Sequence, residues 1–120
     1  MRKLLIAGAV LATLALNVPA HARQAQDFSV LNRTGMTIVA LYVSEIDENS
    51  WEEDILGRDV LENGQEVAIR FKGYDDDNCD FDIRIDDDDD NEWIVEDIDL
   101  CRIHKVTFTK KGSKVFWQAR

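Results

Sequence analysis

The chain has 120 residues and carries 24 acidic against 14 basic side chains, which gives a formal net charge of −10 at neutral pH. We expect no nucleic acid partner, because binding phosphates requires a basic surface, and an anionic membrane surface is disfavoured for the same reason. The length is enough for one domain with a modest core.

The start of the chain has the pattern of a secretory signal peptide. Two basic residues precede an apolar run from Leu4 to Leu16, and Ala20 and Ala22 supply the small residues that signal peptidase recognises. The apolar run is shorter than the roughly 20 residues that span a bilayer. We therefore expect a signal peptide at 1–22, no membrane anchor after cleavage, and a single exported β domain at 23–120, in the periplasm or outside the cell.

The first two strands are predicted on either side of a turn. Asp27 to Asn32 has the pattern of a strand, and Asn32-Arg33-Thr34-Gly35 has the composition of a turn. The triplet Asn32-Arg33-Thr34 also fits a glycosylation sequon, although turn chemistry is the better account. The segment from Met36 to Ser44 is apolar on both faces, which predicts a central strand buried on both sides.

A short helix is predicted at residues 51–56. Ser50 and Glu53 have capping-box spacing, and Gly57 would end the helix. After it, Asn63-Gly64 is a strong hairpin signal, which predicts pairing between a short strand at Arg58 to Leu61 and an alternating strand at Glu66 to Lys72.

Two further hairpins are predicted. A strand from Cys79 to Asp86 alternates apolar and charged residues, and its return strand runs from Glu92 to Leu100, with a slip in the pattern that suggests a bulge near Glu96. The last hairpin joins Ile103 to Thr109 with Lys114 to Gln118. Six to eight short strands and one short helix predict a mainly β fold, a small antiparallel β-sandwich or partly open barrel.

The two cysteines, Cys79 and Cys101, predict a disulfide. An even count in an oxidising compartment favours a bond over free thiols. If the acidic hairpin is centred on Asp90, Cys79 faces Cys101, and the bond becomes a cross-strand staple.

A set of short motifs is spaced along the chain: Asn32-x-Thr34-Gly35, Leu41-Tyr42-Val43-Ser44, Trp51, Asp54-x-Leu56-Gly57, Asn63-Gly64, Cys79-x-Phe81-Asp82-Ile83, Trp93 and Asp99-Leu100-Cys101. Together these motifs resemble a family of small exported bacterial proteins of unknown function. The resemblance spans roughly residues 28 to 108 and implies no particular activity or ligand. Relatives tend to have a shorter acidic-glycine turn where this chain has five consecutive aspartates.

The aspartate-rich hairpin is the candidate metal site. Fourteen acids and one base lie between Asp75 and Asp99. Asp86, Asp88 and Asp90 have the first, third and fifth positions of an EF-hand-like loop, which makes them candidate Ca²⁺ ligands, although the rest of that template fits poorly. The alternative is a solvated acidic loop that keeps an edge hairpin soluble.

The distribution of charge along the chain suggests an interpretation of the acidic hairpin that involves no metal ion. Residues 102–120 carry six basic side chains and no acid. The final hairpin is expected to pair beside the acidic one and offset its field, leaving surplus negative charge that would attract a basic protein partner without a metal.

We expect no catalytic activity. After signal cleavage His104 is the only histidine, and no serine lies in a nucleophile elbow, so a small hydrolase is a remote alternative. The tryptophans at positions 51, 93 and 117 are expected to anchor the core rather than form a sugar-binding face. The sequence therefore favours an exported, acidic, non-catalytic binding or structural module.

Overall fold

The computed structural model describes residues 24–48 and 50–120, so the expected signal peptide lies outside the described residues. These residues form seven strands and no helix: β1 Phe28–Arg33, β2 Ile38–Glu45, β3 Glu66–Ile69, β4 Asp80–Asp87, β5 Glu92–Asp99, β6 Lys105–Lys111 and β7 Lys114–Ala119. The prediction of a mainly β fold is confirmed. Within those two ranges, no helix has the length and apolar character needed to cross a membrane.

The strands form two sheets that share one core and are not closed into a barrel. One sheet has the order β3-β1-β6-β7, and the other has the order β2-β4-β5. Neighbouring strands are antiparallel except β1 and β6, which run parallel with Val30 opposite Val106. Apolar side chains of both sheets form the core, among them Phe28, Val30, Val106 and Phe108 from the first and Leu41, Phe81, Ile83 and Ile98 from the second.

A turn follows β1, as the sequence predicts, and the side chain of Asn32 holds it together. Asn32 is fully buried, and its Nδ2 donates to the carbonyls of Met36 at 2.7 Å and Leu61 at 2.9 Å. Its Oδ1 accepts from the backbone N–H and the hydroxyl of Thr34. This side chain therefore ties the β1–β2 turn to the segment that precedes β3.

The prediction that β2 is a central strand is wrong. β2 is an edge strand of the three-stranded sheet, and Val39 is 37% exposed. Its outer edge is partly covered by the following loop, because Ile55 N donates to Leu41 O at 2.7 Å and Ile38 bridges Leu61. The loop therefore takes the place that a second neighbouring strand would have at this edge of β2. A strand with apolar residues on both faces can for that reason lie at the edge of its sheet.

The predicted helix at 51–56 is also absent, and residues 55–58 form a turn. Asp54 organises this segment in place of Ser50, since its Oδ1 accepts from Leu41 N at 2.8 Å and from Leu56 N at 3.0 Å. A helix this short gains too few hydrogen bonds to offset its nucleation. The Asp54 carboxylate accepts backbone hydrogen bonds in a non-helical conformation, which competes with helix formation. In the turn that results, the side chain of Leu56 is buried in the core.

Asn63-Gly64 forms a turn, but the predicted hairpin is wrong. Leu61 pairs with Ile38 in the three-stranded sheet, whereas β3 pairs with β1 in the other sheet. Gly64 has a φ of 89° and donates to Asn32 O at 2.6 Å. The turn thus carries the chain between sheets, and the exposed residues 58–60 offer no apolar face for a strand.

Candidate functional site

The acidic hairpin is formed by β4 and β5, with the disulfide at its open end. Cys79 and Cys101 are bonded, with their Cα atoms 5.2 Å apart. Asp86 pairs with Glu92, so the hairpin is centred on Asp89, one residue before the predicted Asp90. The bond still closes because the register shifts along the hairpin.

That register shift is the predicted bulge. Asp97 has a φ of 59°, and its N–H donates to the carboxylate of Asp82 on the opposite strand at 2.9 Å. Beyond the bulge Asp80 pairs with Asp99, and Leu100 N donates to Cys79 O. Cys101 therefore follows the residue opposite Cys79 instead of facing it directly.

Asp87 organises the tip of the hairpin. Its side chain is buried, and its two oxygens accept from Asp89 N, Asn91 N, Asn91 Nδ2 and Trp93 Nε1 at 2.8 to 3.1 Å. Burial alone would raise the pKa of Asp87, but these hydrogen bonds together leave that pKa below its ordinary value. Sequence reasoning missed this residue, although an aspartate followed by tight-turn residues is a known signal for side-chain capping of a turn.

The three candidate calcium ligands have different surroundings. Both carboxylate oxygens of Asp86 accept from Arg84, at 2.8 and 3.0 Å, while Asp88 and Asp90 are exposed. The described residues contain a single group of three candidate ligand atoms within 4.8 Å of one another, and it consists of Cys79, Asp99 and Cys101. The two sulfur atoms of this group are bonded to each other in the disulfide. The structure does not bring Asp86, Asp88 and Asp90 together as a site.

The outward side of the hairpin forms an acidic face. Alternation in β4 and β5 buries Ile83, Ile85 and Val95 and turns the intervening side chains away from the core. Six acids and a single base, Arg84, share this outer side of the sheet. We call this surface the acidic face, defined by Asp80, Asp82, Asp86, Glu92, Glu96 and Asp99.

Arg84 is held at the middle of the acidic face. Its guanidinium contacts Asp86 at 2.8 Å and Glu92 at 3.1 Å, and it lies 4.8 Å from the ring centroid of Tyr42. The hydrogen bond with Asp86 is the main cause that raises the pKa of Arg84. Since Arg84 is paired with Asp86 and Glu92, the other acids of the face are left with surplus negative charge.

The outer side of the four-stranded sheet carries the opposite charge. Glu66 is its one acid in the described strands, and it contacts Lys105 at 3.1 Å. Its hydrogen bonds to Ser29 and then Lys105 lower the pKa of Glu66. We call this surface the basic face, defined by Arg33, Lys105, Lys111, Lys114 and Arg120.

The expectation that the final hairpin pairs beside the acidic one is wrong. The β6–β7 hairpin forms as predicted, with Lys111 opposite Lys114, but β6 pairs with β1 in the other sheet. Among the described residues, the ion pair that links residues 102–120 to the acidic hairpin is Arg102 with Asp99 at 3.9 Å, and both side chains are exposed. The molecule therefore separates its opposite charges on two sheets.

The histidine considered for catalysis and the tryptophans considered for sugar binding are spread over both sheets. His104 is exposed, and its contact with Ser29 is between backbone atoms. Trp93 packs against the core, and the ring centroid of Trp51 lies 6.3 Å from that of Tyr42. Trp117 belongs to β7 in the other sheet. The tryptophans thus do not share one surface.

Comparisons with protein-family models, with curated proteins and with solved structures found no match. The resemblance to small exported bacterial proteins therefore stays a prediction.

Proposed function

We propose that this disulfide-stapled β domain is an exported, non-catalytic binding module whose acidic face takes a basic protein partner. The observation that supports it best is the separation of charge between the two sheets. Six acids lie on one outer surface with a single base among them, and the basic hairpin that was expected to neutralise them is in the other sheet.

The acidic face is suited to a protein partner because it is broad and rigid. Two hydrogen-bonded strands carry it, the disulfide closes one end, and Asp87 fixes the other. Ile94 lies among the acids and is 50% exposed, which gives the surface an apolar contact as well as charge. Long-range electrostatic attraction raises the rate at which a basic partner meets this surface. Apolar contacts that exclude water then hold the partner in place.

Binding of a synthetic octalysine peptide tests the proposal. Calorimetric titration is done at 50 mM and 300 mM sodium chloride, with wild type and with the double variant Asp80→Asn/Glu96→Gln. Asp59→Asn/Glu62→Gln is the control, since it removes the same charge from exposed residues outside the acidic face. We expect binding that weakens with salt, because the Debye length falls.

The face variant should lose about fivefold in affinity if each removed charge contributes about 0.5 kcal/mol, and the control should lose less. Equal losses in both variants would mean that the peptide responds to total charge, and absence of binding at 50 mM salt would refute the proposal.

Calcium binding at Asp86, Asp88 and Asp90 stays a prediction. A site specific for the folded state adds about 2.7 kcal/mol when Ca²⁺ is a hundredfold above its dissociation constant. Millimolar Ca²⁺ should then raise the melting temperature beyond equal Mg²⁺, and Asp88→Asn/Asp90→Asn should remove the difference. Equal stabilisation by Ca²⁺, Mg²⁺ and sodium chloride at matched ionic strength would contradict this prediction.

A further inference from the structure

A pocket of about 250 Å³ lies beside the edge strand β2, between the loop that follows it and the segment that follows β3. Its apolar lining comes from both sheets: Val43 from β2, Ile55 from the loop, and Ile69 and Phe71 from the end of β3 onward. The volume is below the roughly 300 to 1,000 Å³ of pockets for drug-sized ligands. It suits a single long side chain.

The rim of the pocket is rich in glutamate. Glu45, Glu48, Glu52 and Glu53 line it, against two bases, Arg70 and Lys72. In the part of the chain that the structure describes, the ion pairs lie elsewhere, and none joins these glutamates to the two bases within 4 Å. The rim therefore carries a net negative charge that its own bases do not pair.

Tyr74 forms an aromatic wall of the same pocket. Its ring packs edge-on against Phe71 at 5.2 Å and Phe81 at 5.8 Å, which fixes its position, yet 37% of the residue is exposed. Burial and the charges of the three glutamates at 45, 52 and 48 raise the pKa of Tyr74. The phenol therefore lies within the field of the acidic rim, where a cation is favoured.

The geometry points to this pocket as the anchor site for an arginine side chain of the basic partner, and the inference rests on the proposed function. Its alkyl part would lie on the apolar lining, while its guanidinium would meet the glutamates and the Tyr74 ring. Arginine suits the site better than lysine because its planar guanidinium binds carboxylates in a bidentate manner and stacks on aromatic rings. Ser44 contributes to the pocket and pairs with Asp82 of the acidic face, so the two surfaces are continuous.

Two peptides of equal charge test the inference by calorimetry at 50 mM salt: octalysine and the same peptide with one central arginine. Wild type should bind the arginine peptide about fivefold more tightly, the difference expected from a cation–π contact at a partly exposed site. Ile55→Trp fills the pocket without changing charge, and it should abolish the preference for the arginine peptide. Val60→Trp, at an exposed residue outside the pocket lining, is the matched control and should keep the preference.

Two exposed rim positions provide variants that do not alter the core. Glu52→Gln should reduce the preference for arginine, and Arg70→Gln should increase it, because the first removes an attracting charge and the second a repelling one. Equal affinities of wild type for both peptides, or a preference that survives Ile55→Trp, would overturn the pocket inference and leave the proposed function intact. Failure of both peptides to bind would overturn both.

Discussion

The acidic hairpin β4–β5 and the basic hairpin β6–β7 each consist of two strands of six to eight residues, but they are stabilised differently. In the acidic hairpin, side chains fix each critical point: a disulfide at the open end, Asp82 at the bulge and Asp87 at the tip. The basic hairpin relies on its backbone ladder, and its outer strand leaves Phe116 49% exposed. The hairpin with many closely spaced negative charges is therefore the one in which a disulfide and side-chain hydrogen bonds offset the repulsion between those charges.

The largest difference should come from removing the disulfide. Cys79→Ala/Cys101→Ala opens a loop with a sequence separation of 22 and should lower the free energy of unfolding by about 3 kcal/mol. Urea denaturation measures the loss, and thiol titration of the unreduced wild type should find no free thiol. An unchanged midpoint would show that the acidic hairpin does not depend on its staple.

Asp87→Asn should have the next largest effect, about 2 kcal/mol, because it weakens hydrogen bonds to a buried, charged acceptor. Asp88→Asn is the control, since it removes the same charge from an exposed neighbour and should cost little.

The loss at Asp87 should also depend on pH. Because the folded-state pKa of Asp87 is lowered, its contribution is fully present above its unfolded pKa and is lost as pH falls through the folded pKa. Wild type and Asp87→Asn should therefore differ most near neutral pH and converge in acid below about pH 4. Parallel stability curves down to pH 2 would contradict this assignment.

Arg84→Met should cost about 1 kcal/mol at low salt, since it removes contacts to Asp86 and Glu92 and leaves the acidic face without its central base. The loss should shrink as salt screens the remaining repulsion. Arg58→Met, at an exposed arginine outside both hairpins, is the control for loss of one positive charge. Equal losses in the two variants would show that the position of Arg84 is unimportant.

The smallest effect is expected in the basic hairpin. Phe116→Thr changes an exposed outer side chain opposite Thr109 to another strand-forming residue, so the free energy of unfolding should change by less than about 0.5 kcal/mol. A free energy of unfolding, measured by urea denaturation, that changes by more than about 1 kcal/mol would show that the Phe116 side chain is packed against another surface in solution.

The comparison also shows which features the sequence could predict. Alternation at Phe81, Ile83 and Ile85 is local, and the predicted strand and its bulged partner are confirmed. Sheet membership depends on distant pairing, such as Val30 with Val106, which no local pattern records. For that reason the separation of the two charged faces could not be predicted, nor could the covered edge of β2.

The candidate site was predictable in part. The acidic strands and the disulfide could be predicted from spacing and composition. The role of Asp87 could not, because the sequence does not show which of the five consecutive aspartates has a buried side chain. The pocket beside β2 is lined by side chains of both sheets and of the loop after β2, so it could be recognised only from the tertiary fold.

The most direct test of the central claim is an amide NMR titration of the domain with octalysine at 50 mM salt. The account predicts progressive shifts for the amides of β4 and β5, reversed by 300 mM salt, with little change in β6 and β7. Shifts confined to the hairpin tip at 88–90, or spread evenly over both sheets, would contradict the claim that the acidic face is the binding surface.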